Sequence, residues 1–311
     1  MTDLATLTAS EMLDGYADRR LSPVDVVEAV LARIDRLDPQ LNSVVHLDAD
    51  AARKGAHQAE RALREGQLTG PLHGVPVGIK DVIDVAGMPT TCHSKILAGN
   101  QRDQDAAVVR RLRDAGAIIF CKLSTHEFAL GGPSFDLPFP PARNPWNRDH
   151  NPGGSSSGSA AAVAAALMPI TIGTDTAGSI RHPAGACGIL GLKPTYDAVS
   201  REGVFPLAFS LDHVGPLARS TADIELTFRV IAERSAVSLA DRPPAARSLD
   251  GMTIGYVRHF HVDDAAADPE VAAALDRTAD QLAEAGARVE DVRLPPLDAF
   301  LGVNRVIMFS E

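Results

Sequence analysis

Residues 151–160 read NPGGSSSGSA, a tract whose composition alone describes a flexible linker. It continues without a break into AAVAAALMPITIGTDTAGSIRHPAGACG, residues 161–188, which is not linker-like. Ala160 to Leu167 is a near-continuous run of helix formers, and Pro169 leads into ITIGTD, a short apolar stretch with strand character. A glycine/serine tract pressed this closely against a helix and a strand predicts a tight loop at a helix N-terminus. Unpaired backbone N–H groups collect at such a loop, which makes it a site for an anion or an oxyanion.

Outward from this tract the same alternation recurs. VPVGI before Lys80 predicts a short buried strand. DAAVVRRLRDAG predicts a helix with a glycine stop, followed by a strand from Ala117 to Leu123. GMTIGYV, then DPEVAAALDRTADQLAEAG, then RVEDV, repeats strand, helix and strand. Upstream, Thr8 and Glu11 have capping-box spacing, and Ser22-Pro23 caps a helix with an apolar stripe at Val26, Val27, Val30, Leu31, Ile34 and Leu37. DADAARKGAHQAERALREG predicts another helix, ended by Gly66. Alternating elements of this kind predict an α/β fold with a largely parallel sheet covered by helices. The polar, proline-bearing ERSAVSLADRPPAARSLDG reads as a surface excursion.

Composition narrows the function classes. The chain has 311 residues, 45% hydrophobic, which is enough for a large core, and a net charge of −10 argues against a broad nucleic-acid-binding face. Cys92, Cys121 and Cys187 are odd in number with no CxxC spacing, so reduced thiols in a cytoplasm are expected rather than disulfides or zinc. No signal peptide or membrane span is expected, and no metal or cofactor. His259 and His261 have no third ligand near them in sequence.

Three chemistries compete for the tract: a plain linker, a phosphate loop of the kind found in small-molecule kinases, and serine catalysis. The phosphate reading lacks GxxxxGK[ST] and an acidic pair spaced for magnesium. Serine catalysis needs a base. None of the ten histidines stands in a GxSxG or chymotrypsin-like context. Lysine is the other candidate, and the chain uses only five, Lys54, Lys80, Lys95, Lys122 and Lys193, against twenty-five arginines. Arginine stays protonated, whereas a desolvated lysine can become a base. Lys80, ending an apolar strand, is the best placed; a charge snorkelling from a strand end is the alternative.

Three blocks, LHGVPVGIKDVIDVAGMPTT, RNPWNRDHNPGGSSSGSAAAVAAAL and GTDTAGSIRHPAGACGILGLKPTY, together resemble the amidase signature family over essentially the whole chain. The resemblance implies a central mixed sheet flanked by helices on both faces, in one domain over residues 1–311. It implies a Ser–cis-Ser–Lys triad at Ser179, Ser155 and Lys80, with the cis bond at Gly154–Ser155. The backbone N–H groups of Thr176, Ala177, Gly178 and Ser179 are then the expected oxyanion hole. Ser156 is expected to orient Lys80, and Asp175 with Arg181 to brace the nucleophile turn, unless they form an ordinary structural ion pair.

Three departures from the family pattern stand out: Ser157 and Ala177 where glycines are common, and Asp197-Ala198 where Gly-Arg is common. Ala177 then requires a negative φ or strain. The expected activity is hydrolysis of a small-molecule amide by a free-standing amidase, with a homodimer or amidotransferase partner subunits as the candidate assemblies. TTCHSKIL and RNPWN also resemble the A subunit of aspartyl/glutamyl-tRNA amidotransferase, which releases ammonia from glutamine with partner subunits. A non-catalytic, partner-binding fragment is the remaining alternative. The closing DAFLGVNRVIMFSE is apolar with no stop signal, so a core-facing segment of a longer amidase is expected there.

Overall fold

The computed structural model describes residues 3–233 and 248–311. Most of the excursion expected around residues 233–251 therefore lies outside the described residues. Two compact units partition the chain, Met1–Val237 and Ser238–Glu311.

In the first unit, local sequence fixes the helices. The capping box predicted at Thr8 and Glu11 is formed and opens α1, Ala9–Ala17. Ser22 accepts from the Val24 amide and Pro23 occupies the first turn of α2, Pro23–Leu41. This helix runs through Pro39 and closes at Asn42 in the left-handed conformation. Its stripe Val26, Val27, Val30, Leu31 and Ile34 is buried as expected. β1, Val44–Leu47, is followed by α3, Ala49–Arg64, capped by Asp48. β2, Pro76–Lys80, is buried at every position. α4, Ala107–Asp114, leads into β3, Ile118–Leu123, and α5, Ser157–Ala164, into β4, Ile170–Asp175. α6, Arg181–Cys187, β5, Leu190–Gly191, β6, His213–Ala218, and α7, Thr221–Ile231, complete the unit.

The sheet order is β1-β3-β2-β4-β6-β5. β2 runs parallel to both β3 and β4, whereas β1–β3, β4–β6 and β5–β6 are antiparallel, so the sheet is mixed. Val77, Ile79, Ile170 and Ile172 pack with Val108, Val109 and Leu112 of α4 and Ile231 of α7 on one face. Phe120 and Leu123 pack with α2, α3 and Ala162 of α5 on the other. Helices thus cover both faces, and the strand ends that carry Lys80 and Asp175 are buried at the sheet's centre.

The second unit holds two parallel strands, β7, Thr253–Tyr256, and β8, Arg288–Asp291, joined through α8, Pro269–Glu284. This is the strand–helix–strand repeat read from the sequence. α9, Leu297–Ser310, follows, with Phe300, Val303, Val306 and Phe309 exposed. No helix among the described residues is long and apolar enough to cross a membrane.

Candidate active site

The glycine/serine tract is backbone packed against the sheet. Residues 153–156 form the turn into α5, which starts at Ser157, and Ser155 and Ser156 are buried. Gly158, in the first turn of α5, shows how closely this segment packs: a Cβ there would lie 2.4 Å from both the Ser124 nitrogen and the Ser43 carbonyl oxygen. Ser157, one residue earlier, keeps its side chain beside the Ser124 carbonyl, which accounts for its replacing the family's glycine. The Gly154–Ser155 peptide is cis.

Lys80 ends β2 with no solvent exposure. Its Nζ donates to Ser155 Oγ at 2.8 Å and to Thr174 Oγ1 at 2.7 Å. Burial pulls the Lys80 pKa down from 10.5 to about 7, against the opposing pull of the Asp175 and Asp212 carboxylates. A lysine in this state is a competent base at neutral pH, as the snorkelling alternative would not be. The other lysines are otherwise engaged. Lys122 is equally buried but forms a 3.0 Å ion pair with Asp81 and donates to Pro89 O and Thr90 Oγ1. Lys54 and Lys95 are exposed, and Lys193 is half-buried.

Ser179 lies in the strand–turn–helix between β4 and α6, half-buried, after exposed Ala177 and half-buried Gly178 and before buried Ile180. Its carbonyl accepts from the Ser156 amide at 3.1 Å, which ties the turn before α6 to the cis turn. Asp175 organises this turn. Its carboxylate accepts from the Gly178 amide at 2.8 Å and the Ile180 amide at 3.2 Å, and takes a two-pronged contact from Arg181, at 3.0 Å for both pairs. Burial pushes the Asp175 carboxyl up, but Arg181 and the amides more than reverse this and hold it below the usual carboxylate range. The pair is thus an ion pair that also fixes the turn. Ala177 has no positive φ, so the departure from glycine costs no left-handed strain. Asp197 does adopt a left-handed conformation, φ 59°, which explains a glycine at that position elsewhere; its carboxylate holds Arg201 at 2.7 Å.

Two expectations need correction. Among the described residues Ser156 makes no hydrogen bond to Lys80: its Oγ donates to the Thr174 carbonyl at 3.2 Å and accepts from the Thr174 amide at 3.3 Å. It pins the backbone of Thr174, and Thr174 is the residue that touches the lysine. The Gly178 amide, expected in the oxyanion hole, is committed to Asp175. The amides of Thr176, Ala177 and Ser179 have no acceptor among the described residues.

Two residues were missed. Thr174 falls on the same face of β4 as Ile170 and Ile172, which the register pairs with Val77 and Ile79 rather than with the Lys80 face, so strand alternation gave no signal of its contact with Lys80. Asp212 accepts from Thr176 Oγ1 at 2.5 Å and from the amides of Leu207 and Ala208, and no local pattern marks it. A Thr174→Val substitution keeps the shape and removes one acceptor from Lys80. Because that acceptor favours the charged lysine, the pH midpoint of activity should move down, while the plateau rate falls roughly tenfold through lost orientation. A pH–rate profile of the variant checks both.

The chain matches the Amidase family over residues 25–311. It is 44% identical, over its whole length, to the A subunit of glutamyl-tRNA(Gln) amidotransferase from Roseiflexus sp. (strain RS-1), of which it spans 65%. Among solved structures it resembles the native peptide amidase of Stenotrophomonas maltophilia, with a TM-score of 0.83 and 37% identity over 96% of this chain and 64% of that one. It also resembles the A subunit of glutamyl-tRNA(Gln) amidotransferase from Thermotoga maritima, with a TM-score of 0.83 and 30% identity over 100% of this chain and 66% of that one. Sequence, fold and relatives agree, and the chain belongs to the amidase signature family.

Proposed function

We propose that this chain hydrolyses a carboxylic amide through an acyl-enzyme on Ser179, with Ser155 and Lys80 as the proton relay. The observation that carries the reading is the fully buried Lys80 Nζ held between Ser155 Oγ and Thr174 Oγ1. Ser179 Oγ attacks the carbonyl carbon while its proton passes to Ser155, whose own proton passes to neutral Lys80. The oxyanion is met by the free amides of Thr176, Ala177 and Ser179, each such donor being worth roughly 3 kcal/mol. Protonated Lys80 returns its proton through Ser155 to the leaving nitrogen as the C–N bond breaks. Water then attacks the ester by the same relay in reverse.

A second reading concerns the amide itself. The relatives at 44% identity are named as amidotransferase A subunits, whereas the peptide amidase stands at 37%. This favours a glutamine-hydrolysing subunit that works with partners over the free-standing amidase expected from the sequence. Ammonia release from glutamine, measured with and without candidate partner subunits and beside a panel of other primary amides, separates the two. Partner-stimulated glutamine hydrolysis supports the amidotransferase reading; turnover of other amides by the lone chain, with glutamine inert, supports the amidase.

A further inference from the structure

Two buried polar atoms beside the relay turn have no hydrogen-bond partner among the described residues: Thr125 Oγ1 and His126 Nε2. Thr125 is 3% and His126 8% exposed. The two residues follow Ser124, the first residue after β3, and both line one small cavity, together with His93, Pro141, Asn151 and Ser157. The space open to a water molecule in it is about 10 Å³, close to the roughly 10–15 Å³ that a single water needs.

The imidazole's chemistry is set by its other nitrogen. His126 Nδ1 lies 3.0 Å from the Gly131 carbonyl oxygen, which can only accept, so Nδ1 carries the proton. Nε2 is therefore a bare lone pair that needs a donor. Burial keeps the ring neutral, lowering its pKa to about 4. The Thr125 hydroxyl can donate or accept. A single molecule that offers two donors and two acceptors, and is no larger than the cavity, meets both needs.

We propose that this cavity is a binding site for one ordered water, which donates to His126 Nε2 and pairs with Thr125 Oγ1. Its position gives it a role. The His126 ring lies directly against Gly154, where a Cβ would come within 2.2 Å of Cε1 and 2.3 Å of Nε2. The His126 amide donates to the Ser155 carbonyl at 3.2 Å. The water thus fixes the residue on which the relay serine's peptide rests, and His126 is a positioning residue acting through Ser155.

The water site stands on geometry alone, and its kinetic arm rests on the proposed hydrolysis. The test is a crystal structure at about 1.5 Å of the wild-type protein and of Thr125→Val, which keeps the shape and removes the hydroxyl. In the wild type, a fully occupied water is expected within about 2.7–3.2 Å of both atoms, and it should be lost or displaced in the variant. Absence of that water, or a rotated His126 whose Nε2 bonds a protein group, overturns the site whatever the enzyme's activity. If the water is present, Thr125→Val should lower kcat about fivefold with KM and the pH midpoint unmoved. An unchanged kcat would overturn the positioning role.

Discussion

Lys80→Arg should be as inactive as Lys80→Ala, with hydrolysis reduced by about 10²–10⁴-fold in each. The guanidinium restores a positive charge but cannot accept a proton, so a role in proton transfer and a role in charge give opposite outcomes. The wild-type pH profile follows from the same group. Lys80 is the base only when neutral, and burial brings its pKa to about 7. Activity should therefore rise as pH increases through about 7 and fall roughly tenfold for each pH step well below it. A rate flat from pH 5 to 9, or an arginine variant close to wild type, would remove Lys80 from the relay.

Ser179→Ala should cost at least about 10⁴-fold in turnover, because no covalent route remains. Its melting temperature should stay within a degree or two of wild type. Among the described residues the hydroxyl makes no hydrogen bond that holds the turn; that work falls to the Ser179 carbonyl, which accepts from Ser156, and to Asp175. Cys187, eight residues on, is no substitute nucleophile. It is fully buried, its Sγ faces the Pro152 carbonyl, and burial pushes its thiol up to about 12. Thermal unfolding and steady-state kinetics of the variant separate loss of chemistry from loss of fold.

What could be read in advance divides along a physical line. Caps, apolar stripes and glycine stops act within a few residues, and so α1, α2, α3, α4 and α8 were legible from sequence. β6 was not: glycine and proline, as at Gly215 and Pro216 inside HVGPLA, weaken a strand pattern, yet a Cβ at Gly215 would come within 2.1 Å of the Leu192 carbonyl, so close packing demands the glycine. The positions proposed for the triad stand out in sequence because short apolar or glycine-rich contexts surround Lys80, Ser155 and Ser179. The contacts that tune them were not. Thr174 reaches Lys80 across 94 residues of sequence, and Asp212 reaches Thr176 across 36. The family resemblance assigns Ser156 to the lysine and the Gly178 amide to the oxyanion, but a motif does not say which hydrogen bond a group spends first. The Thr174 backbone claims the one and Asp175 claims the other.

Everything in this mechanism turns on Ser179 as the atom donor to the acyl-enzyme. The direct measurement is mass-spectrometric mapping of the protein after reaction with a fluorophosphonate. A single adduct on the peptide carrying Ser179, formed faster as pH rises through about 7 and absent from Lys80→Arg, is the predicted result. An adduct on any other residue, or labelling that persists undiminished in Ser179→Ala, would contradict it.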